Sequence, residues 1–298
     1  MSAPVIPTSP GSPAPSGIAT YGRMIKFSHS IFAMPFALAA FFLATRSRGI
    51  EPMPLIWVLV AMIGARSAAM GFNRWVDADI DARNPRTAGR EIPSGALSRN
   101  QVLGFVLVSS LALIGAASQL NPLCFALSPV ALLIVFGYSL TKRFTLLSHW
   151  VLGLGLAIAP VGAWLAVRGE FGAASVVLGL AVLFWVAGFD ILYSCQDVEF
   201  DRATSLHSVP ARLGIPAALG VARVSHALAL LLLLSIPLIE PVHRVYFAGM
   251  AVIAALFVYE HSLVKPTDLS KIDAAFFLVN GWVGVLYLVT VVAAGSLS

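Results

Sequence analysis

Residues 173–201 read AASVVLGLAVLFWVAGFDILYSCQDVEFD, and this stretch decides the fold of the chain. Residues 173–189 carry no charge, and the next residue, Asp190, begins a group of acids that ends at Asp201. An α-helix needs about 20 apolar residues to cross a bilayer. The stretch therefore predicts a transmembrane helix that ends in a polar, acidic segment.

The rest of the chain repeats this apolar pattern. The 298 residues are 58% hydrophobic and 11% charged, which is typical of a polytopic membrane protein. Nine apolar stretches approach the spanning length, at 28–46, 54–72, 101–120, 122–141, 147–167, 173–192, 215–236, 244–264 and 273–295. They lack the alternation expected of barrel strands. The prediction is an all-α polytopic membrane bundle of nine transmembrane helices.

The basic residues predict the orientation of this bundle. With a cytoplasmic N-terminus, thirteen of the 19 Lys and Arg residues lie in inward-facing segments and four lie on the opposite side. This excess satisfies the positive-inside rule. Most of the formal net charge of +5 therefore serves topology, and no basic helix or RNA-binding signature indicates a nucleic-acid partner.

The N-terminal residues differ in composition from the rest. Residues 1–20 are rich in Pro, Ser, Ala and Gly, so we expect a disordered cytoplasmic tail. Residues 21–298 then form a single membrane domain. The sequence does not predict an oligomeric state.

Cysteine and histidine do not form a recognisable site. The two cysteines, Cys124 and Cys195, lie in separate apolar contexts, which argues against a disulfide framework or a zinc site. His29, His149 and His207 show no metal-binding spacing, and we predict that they are packing or loop residues.

Seven of the 14 acidic residues are concentrated in two windows, at residues 73–81 and 190–201. On a helix, side chains three, four, seven or eleven residues apart share one face. Two stripes of oxygen-bearing side chains result: Asn73, Asp77 and Asp81 in the first window, and Asp190, Tyr193, Asp197 and Asp201 in the second. Asp79 and Glu199 point away from the stripes and are predicted to be solvated surface charges.

The stripes predict a magnesium site. Their ligands are hard oxygen atoms without His or thiolate, which suits Mg²⁺ better than zinc or copper. Both stripes are predicted at helix C-termini, whose partial negative charge repels carboxylates, and neighbouring carboxylates repel one another. Bound divalent cations remove both penalties. The predicted metal ligands are Asn73, Asp77, Asp81, Asp197 and Asp201.

Magnesium held by carboxylates usually keeps coordination positions for substrate phosphate. Phosphate also needs cationic donors. The predicted cytoplasmic loops supply four of them: Arg86, Arg90, Lys142 and Arg143. Any one of these residues could serve only to orient the chain in the membrane. Their coincidence with the acidic stripes favours a diphosphate-binding role.

At these residues the chain resembles the UbiA superfamily of intramembrane aromatic prenyltransferases. The hallmarks of that family are an Asn-x-x-x-Asp-x-x-x-Asp motif and a second Asp-x-x-x-Asp motif, which match residues 73–81 and 197–201 here. Stretches such as Asp79-Ile-Asp-Ala-Arg-Asn-Pro-Arg-Thr and Tyr138-Ser-Leu-Thr-Lys-Arg-Phe-Thr bring it closer to the bacterial 4-hydroxybenzoate polyprenyltransferase-like branch. The resemblance runs from about residue 21 to the end.

This resemblance implies a bundle of nine helices around a central cavity open laterally to lipid. It implies that Mg²⁺ bridges the diphosphate of a polyprenyl diphosphate to the aspartates, and that the prenyl group passes to a ring carbon of a small aromatic acid during ubiquinone or menaquinone biosynthesis. The expected location is the bacterial cytoplasmic (inner) membrane, with the active site facing the cytoplasm. The implied catalytic residues are Asp77, Asp81, Asp190, Asp197 and Asp201.

The acceptor site is less defined. Arg66 could recognise the carboxylate of the acceptor, or it could snorkel to the interface or pair with a neighbouring helix. Asp190 could complete the metal cluster or position the acceptor hydroxyl. Tyr193 and Tyr138 complete the predicted acceptor-binding set, although a tyrosine at a helix end is also common at the membrane interface.

Three alternatives remain open. The acceptor could be a dihydroxynaphthoate or another phenol instead of 4-hydroxybenzoate, and the length of the prenyl chain is not predicted. The chain could instead transport divalent cations or organic anions, although both acidic windows lie on one face without a polar path across the membrane. It could also be a scaffold or quinone-binding subunit without catalysis.

Overall fold

The computed structural model describes residues 17–25, 32–46, 49 and 51–298. Its α-helices are α1 (Gly17–Met24), α2 (Met34–Thr45), α3 (Pro52–Val76), α4 (Ala78–Asp81), α5 (Arg99–Leu120), α6 (Pro122–Thr141), α7 (Ser148–Arg168), α8 (Ala173–Ser194), α9 (Val198–Ala203), α10 (Val209–Leu213), α11 (Ile215–Ser235), α12 (Val245–Leu263) and α13 (Asn280–Ser296). Short 3₁₀ turns at Cys195–Asp197 and Ile236–Leu238 extend α8 and α11, and the π-helical segment Ala274–Val279 leads into α13.

The predicted helical membrane bundle is confirmed. Eight of the described helical segments are long and apolar enough to cross a bilayer. Helices suit the hydrocarbon core of a bilayer because they satisfy their backbone hydrogen bonds internally. No strand occurs among the described residues, where the only β-type pairing is an isolated bridge between Lys265 and Asp268.

The N-terminal part differs in detail from the sequence prediction. The first predicted span, 28–46, corresponds to the 12-residue helix α2, and residues 26–31 lie outside the described part of the chain. Helix α1 begins at Gly17, so it includes the last four residues of the predicted tail, while residues 1–16 lie outside the described residues.

Local capping explains where several helices begin and end. Ser98 and Gln101 form a reciprocal capping box at the start of α5. Asn121 caps α6 through a 2.9 Å bond from the Cys124 N–H, and its side-chain amide donates to the Leu165 carbonyl of α7. Gly169 ends α7 in the left-handed conformation, at φ 70°. These contacts define the start of α5, the turn between α5 and α6, and the end of α7.

Helix α8 is the most buried of the candidate spans and packs against α7 on one side and α11 on the other. Its Trp185 contacts Phe36 of α2 and donates a 2.7 Å hydrogen bond to Asn280 Oδ1 of α13. Trp185 and Asn280 are both buried. The indole and the amide therefore satisfy each other inside the bundle, as buried polar groups must.

A cavity of about 660 Å³ lies among α3, α5, α6, α7 and α8. Most of its lining is aliphatic or aromatic, with Phe32, Phe189 and Phe276 forming part of the wall. Some lining side chains, including Leu154 and Val176, are also exposed on the outside of the bundle. The cavity therefore opens sideways, toward the position of lipid.

Candidate active site

The first acidic motif extends across the break between α3 and α4. Helix α3 ends at Val76, and Asp77 joins it to α4. The Asp77 N–H still donates to the Asn73 carbonyl at 3.0 Å, and the Asp81 N–H donates to the Asp77 carbonyl at 2.8 Å. The four-residue spacing of the stripe therefore survives the break, and the Asn73 amide donates to Asp77 Oδ2 at 2.9 Å.

The second motif follows α8 in the same manner. A 3₁₀ turn carries Asp197, and α9 carries Asp201. Both residues are buried, with Asp201 fully inaccessible to solvent. Burying a carboxylate is costly unless a charged or hydrogen-bonding partner compensates it.

Each of the four motif aspartates is paired with one of the four basic residues predicted to bind diphosphate. The pairs are Arg143 Nη2 with Asp77 Oδ1 at 2.9 Å, Arg90 Nη1 with Asp81 Oδ1 at 2.7 Å, Arg86 Nη2 with Asp197 Oδ2 at 2.6 Å, and Lys142 Nζ with Asp201 Oδ1 at 2.8 Å. The basic side chains are each about a quarter to a third exposed, whereas the carboxylates are more buried. The basic groups therefore lie on the solvent side of the acids.

The loop after the first motif joins the two motifs. Arg86 reaches Asp197 with two parallel hydrogen bonds, and the Asn84 amide lies 3.4 Å from the same carboxylate. The Arg86 guanidinium also lies over the ring of Tyr193, 5.6 Å from its centroid. These contacts bring the two windows to one end of the bundle.

The loop after α6 makes a second connection. Arg143 donates to the Val76 carbonyl of the first motif region, while the Lys142 carbonyl accepts from the His207 N–H at 2.7 Å. Lys142 and Arg143 are adjacent, yet they pair with aspartates of different motifs. This loop therefore spans the two halves of the site.

Charge compensation differs between two of these pairs. Burial raises the pKa of the Asp77 carboxyl above its ordinary value, and the hydrogen bond from Arg143 offsets this only in part. Burial alone lowers the pKa of the Arg86 guanidinium, but the hydrogen bond to Asp197 and the charge of Asp197 together raise it. Burial thus outweighs the ion pair at Asp77, whereas the ion pair outweighs burial at Arg86.

The donor atoms fit Mg²⁺ by type, since they are carboxylate and amide oxygens. Within the described part of the chain, however, no three His, Cys, Asp or Glu side chains lie close enough together to hold a metal ion. The predicted ligands form two separate groups, one from each motif, and basic side chains compensate their charge. Metal binding would require some of these basic groups to release their carboxylates.

The predicted acceptor residues line the cavity at its polar end. Arg66, Tyr138, Asp190 and Tyr193 all contribute to its wall. Asn73 and Arg90 line the same cavity and bond directly to Asp77 and Asp81. The apolar cavity and the charged ion-pair array are therefore continuous.

Sequence reasoning missed three polar residues at this site. Arg74 is buried in the cavity wall, donates to Asn73 Oδ1 at 3.2 Å, and pairs with Glu91 at 3.5 Å. The position of Arg74 directly after Asn73 could have indicated that it lies near the first motif. Asn84 and Ser208 each contact a motif aspartate, but they lie in polar loops that gave no periodic signal.

His149 is buried on α7, which agrees with a packing residue, but its Nδ1 atom also lies 2.6 Å from Asp190 Oδ2. Sequence reasoning missed this contact because His149 and Asp190 are 41 residues apart and meet only when α7 packs on α8. Asp190 thus has a histidine partner, whereas the motif aspartates have arginine or lysine.

The structure can be compared with the predicted exposure or position of several other single residues. Asp79 and Glu199 are exposed, as predicted, and Asp79 pairs with Arg99 on the surface. Cys195 is a buried thiol against the Ile191 carbonyl, and both cysteines are free. His207 lies in a loop, as predicted, whereas His29 lies outside the described residues.

Comparison with known proteins gives a consistent family match. The UbiA prenyltransferase family matches residues 33–282. The 4-hydroxybenzoate octaprenyltransferase of Aeromonas hydrophila is 30% identical over 249 residues, covering 81% of this chain and 85% of that protein. The 4-hydroxybenzoate solanesyltransferase of Synechocystis is 30% identical over 272 residues, covering 90% and 89%.

Solved structures give the same result for the fold. The apo structure of a UbiA homolog from Aeropyrum pernix superposes with a TM-score of 0.81 at 30% identity, covering 89% of this chain and 97% of that one. A UbiA homolog from Archaeoglobus fulgidus bound to DMAPP and Mg²⁺ superposes with a TM-score of 0.71. At 18% identity, that second likeness concerns the fold alone.

Proposed function

This chain belongs to the UbiA prenyltransferase family and is an aromatic prenyltransferase, and we propose that it transfers a polyprenyl group from a polyprenyl diphosphate to a ring carbon of a hydroxylated aromatic acid. The acceptor class is 4-hydroxybenzoate-like, in ubiquinone or menaquinone biosynthesis, with a dihydroxynaphthoate or another phenol as the alternative. The names of the relatives from Aeromonas hydrophila and Synechocystis support the first acceptor.

One observation carries the proposal: four ion pairs between motif carboxylates and basic side chains adjoin, through Asn73 and Arg90, a cavity whose lining is mostly apolar. A polyprenyl diphosphate has the same division, with a charged head and a long hydrocarbon tail. The head would exchange with the ion pairs while the tail lies along the apolar wall. A protein that only transports cations has no need for the adjoining hydrocarbon cavity.

The basic residues would stabilise the diphosphate as it leaves. Arg86, Arg90, Lys142 and Arg143 are positioned to transfer their ion-pair contacts from the aspartates to diphosphate oxygens, where negative charge develops as the C–O bond breaks. Asn73 and the four aspartates that they release would hold Mg²⁺. When bound, Mg²⁺ supplies Lewis-acid neutralisation of the diphosphate.

The cavity wall would protect the allylic cation. Phe189, Phe276 and Tyr193 line the cavity next to the polar end and pack against one another. Aromatic faces attract a cation, and an apolar wall excludes water that would otherwise capture it. Phe32 extends this aromatic wall toward α2.

The acceptor would bind between α3 and α8. The Asp190 carboxylate would accept a hydrogen bond from the acceptor hydroxyl, which increases the electron density of the ring. Arg66, which lines the same cavity from α3, would pair with the acceptor carboxylate, and Tyr138 would complete the pocket. Holding ring carbon and donor carbon together supplies much of the rate advantage.

The proposed location is the bacterial inner membrane, with the ion-pair array on the cytoplasmic side. The excess of Lys and Arg in the segments predicted to face inward supports this orientation. The bacterial relatives support the choice of membrane.

The test is direct turnover by the purified chain in lipid nanodiscs. We expect Mg²⁺-dependent release of diphosphate and formation of a prenylated ring when polyprenyl diphosphate is supplied with 4-hydroxybenzoate or with a dihydroxynaphthoate. Asp77→Ala and Asp197→Ala should each lower the rate by about 100-fold or more, since each removes a charged partner of the reacting groups. Full activity in excess chelator would contradict the metal mechanism, and Mg²⁺ transport into liposomes without any consumption of donor would favour a transporter.

A further inference from the structure

His149 connects the acceptor side of the cavity to the second acidic motif. We propose that His149 is a positioning residue that fixes the Asp190 carboxylate for the acceptor and links it to the donor site at Asp201. This inference rests on the proposed function, since it assigns how the same site coordinates its two substrates.

The hydrogen bonds of His149 define its tautomer. The backbone N–H of Val209 lies 3.2 Å from His149 Nε2. A backbone N–H can only donate, so Nε2 must be the acceptor and carries no proton. The proton of the neutral ring is therefore on Nδ1, which donates to Asp190 Oδ2 at 2.6 Å.

The connection continues to the donor site. Ser208, which precedes Val209, donates from its hydroxyl to Asp201 Oδ2 at 2.8 Å. The same hydroxyl accepts from the Ala211 N–H, so it also caps α10. Asp201 in turn pairs with Lys142 at 2.8 Å. One chain of contacts thus runs from Asp201 through Ser208, Val209 and His149 to Asp190.

Burial makes this chain rigid. His149 is 2% exposed, Val209 1%, and Ser208 and Asp201 are fully buried. Water cannot replace a broken bond there without entering the packed interior, so each bond lost would leave an unsatisfied polar group. A displacement of Asp201 or Ser208 should therefore reach His149 instead of being absorbed by solvent.

Asp190 differs from the buried members of the chain because its side chain is 25% exposed and lines the cavity. A carboxylate with free rotation could face several directions. The bond from His149 holds one oxygen on the α7 side, so that the carboxylate presents a fixed edge to the cavity. Pre-orientation of a polar group in this way increases its effect on a bound partner.

The consequence is coupled substrate binding. When the diphosphate group draws Lys142 from Asp201, the contact between Asp201 and Ser208 changes, and the change is passed to His149. We expect the acceptor to bind more tightly after the donor than before it. By linkage, the donor must gain affinity by the same factor when the acceptor is bound.

Three substitutions separate the two bonds of His149. His149→Asn places an amide N–H near the position of Nδ1 and keeps the donor to Asp190, but offers nothing to Val209. His149→Gln places its amide near Nε2 and keeps an acceptor for Val209, but loses Asp190. His149→Leu loses both. His226→Asn is the matched control, because His226 is another buried histidine, bonded to the Trp185 carbonyl and near His261, away from the cavity wall.

The experiment measures KM for each substrate and kcat in nanodiscs, with whichever probe acceptor the unaltered chain turns over, 4-hydroxybenzoate or a dihydroxynaphthoate. A second readout is the Kd of that acceptor, by calorimetry, with and without Mg²⁺ and a prenyl diphosphate analogue that cannot ionise. We expect His149→Gln and His149→Leu to raise the acceptor KM by about tenfold or more and, at acceptor concentrations far below its KM, to leave the donor KM within about twofold. His149→Asn should keep the acceptor Kd measured without the donor analogue near that of the unaltered chain but lose the effect of the donor analogue on that Kd.

Several results would overturn the inference. One is an acceptor KM in His149→Gln equal to that of the unaltered chain; another is an equal loss in His149→Asn and His149→Gln. A comparable change in His226→Asn would mean that any buried histidine has the same effect. If His149→Leu fails to fold, the Asn and Gln variants decide the matter. A chain that transfers no prenyl group to any phenol contradicts the proposed function instead, so the two failures are distinguishable.

Discussion

Arg86 and Asp197 are separated by 111 residues in the chain, yet they form a two-point ion pair with hydrogen bonds of 2.9 and 2.6 Å. Arg86 comes from the loop after the first motif, and Asp197 belongs to the second. The planar guanidinium matches the carboxylate, and it would match a diphosphate equally well. This pair therefore joins the halves of the site and holds the proposed phosphate-binding side chain of Arg86 in place.

Replacing Arg86 with lysine should weaken donor binding. Lysine keeps the positive charge but loses the planar two-point geometry. We expect the KM for polyprenyl diphosphate to rise by about tenfold, as initial rates at varied donor concentration would measure. Arg83→Lys is the control, because Arg83 is exposed and its side chain donates to the Asp79 carbonyl. Equal effects of the two substitutions would show that the geometry of Arg86 is unimportant.

Asp77 and Asp79 provide a matched comparison within one motif. Asp77 bonds to Asn73 and Arg143 in the site, whereas the Asp79 side chain is 83% exposed and pairs with Arg99 on the surface. We expect Asp77→Asn to lower kcat by about 100-fold or more and Asp79→Asn to change it less than twofold, since surface ion pairs contribute little. Steady-state rates at saturating Mg²⁺ measure both. A large loss with Asp79→Asn would contradict the helical phasing.

Cysteine labelling tests the orientation. Gly89 is exposed at the end of the bundle that carries the motifs, and Glu170 is exposed in the turn between α7 and α8, at the opposite end. Both native cysteines are buried. In intact spheroplasts, a membrane-impermeant maleimide should label Glu170→Cys and not Gly89→Cys. The reverse pattern would place the active site outside the cytoplasm.

Gly153 should be needed for the contact between α7 and α8. A Cβ atom at this position would meet the backbone carbonyl of Leu183, which cannot move aside without separating the helices. We expect Gly153→Ala to lower the free energy of unfolding by about 1–3 kcal/mol, the usual cost of overpacking. Such small residues allow close helix approach in membranes.

Gly155 on the same helix is the control for this substitution, because a Cβ atom there would meet no atom of the described residues within 4 Å. Gly155→Ala should change the free energy of unfolding by less than about 0.5 kcal/mol. Denaturant titration in a mild detergent measures both variants. Identical stabilities would show that α7 and α8 can separate without cost.

Local patterns predicted a large part of this protein. Apolar runs such as 173–189 indicated the spans because hydropathy is a property of consecutive residues. The spacing of Asn73, Asp77 and Asp81 indicated one helix face, and the structure keeps this spacing even where α3 ends. The short helix α2 and the start of α1 were less predictable, because the ends of helices depend on neighbouring elements.

The partners of the charged residues could not be predicted in this way. Arg86 was predicted to bind diphosphate, but its pairing with Asp197 depends on the path of a loop. His149 lacked any signal, because a single histidine in an apolar run has no periodicity of its own. Its proposed role depends on Asp190 from α8 and on Val209 at the start of α10.

The sequence by itself determined the membrane bundle and the two acidic motifs, since both depend on residues within one or two helical turns. The packing of the helices sets which basic side chain pairs with which aspartate and brings His149 against Asp190. It also places the ion pairs at the end of an apolar cavity. The reason is that hydropathy and helical spacing act within a segment. Ion pairs and buried hydrogen bonds instead join segments far apart in the chain, and they form only after the helices have packed.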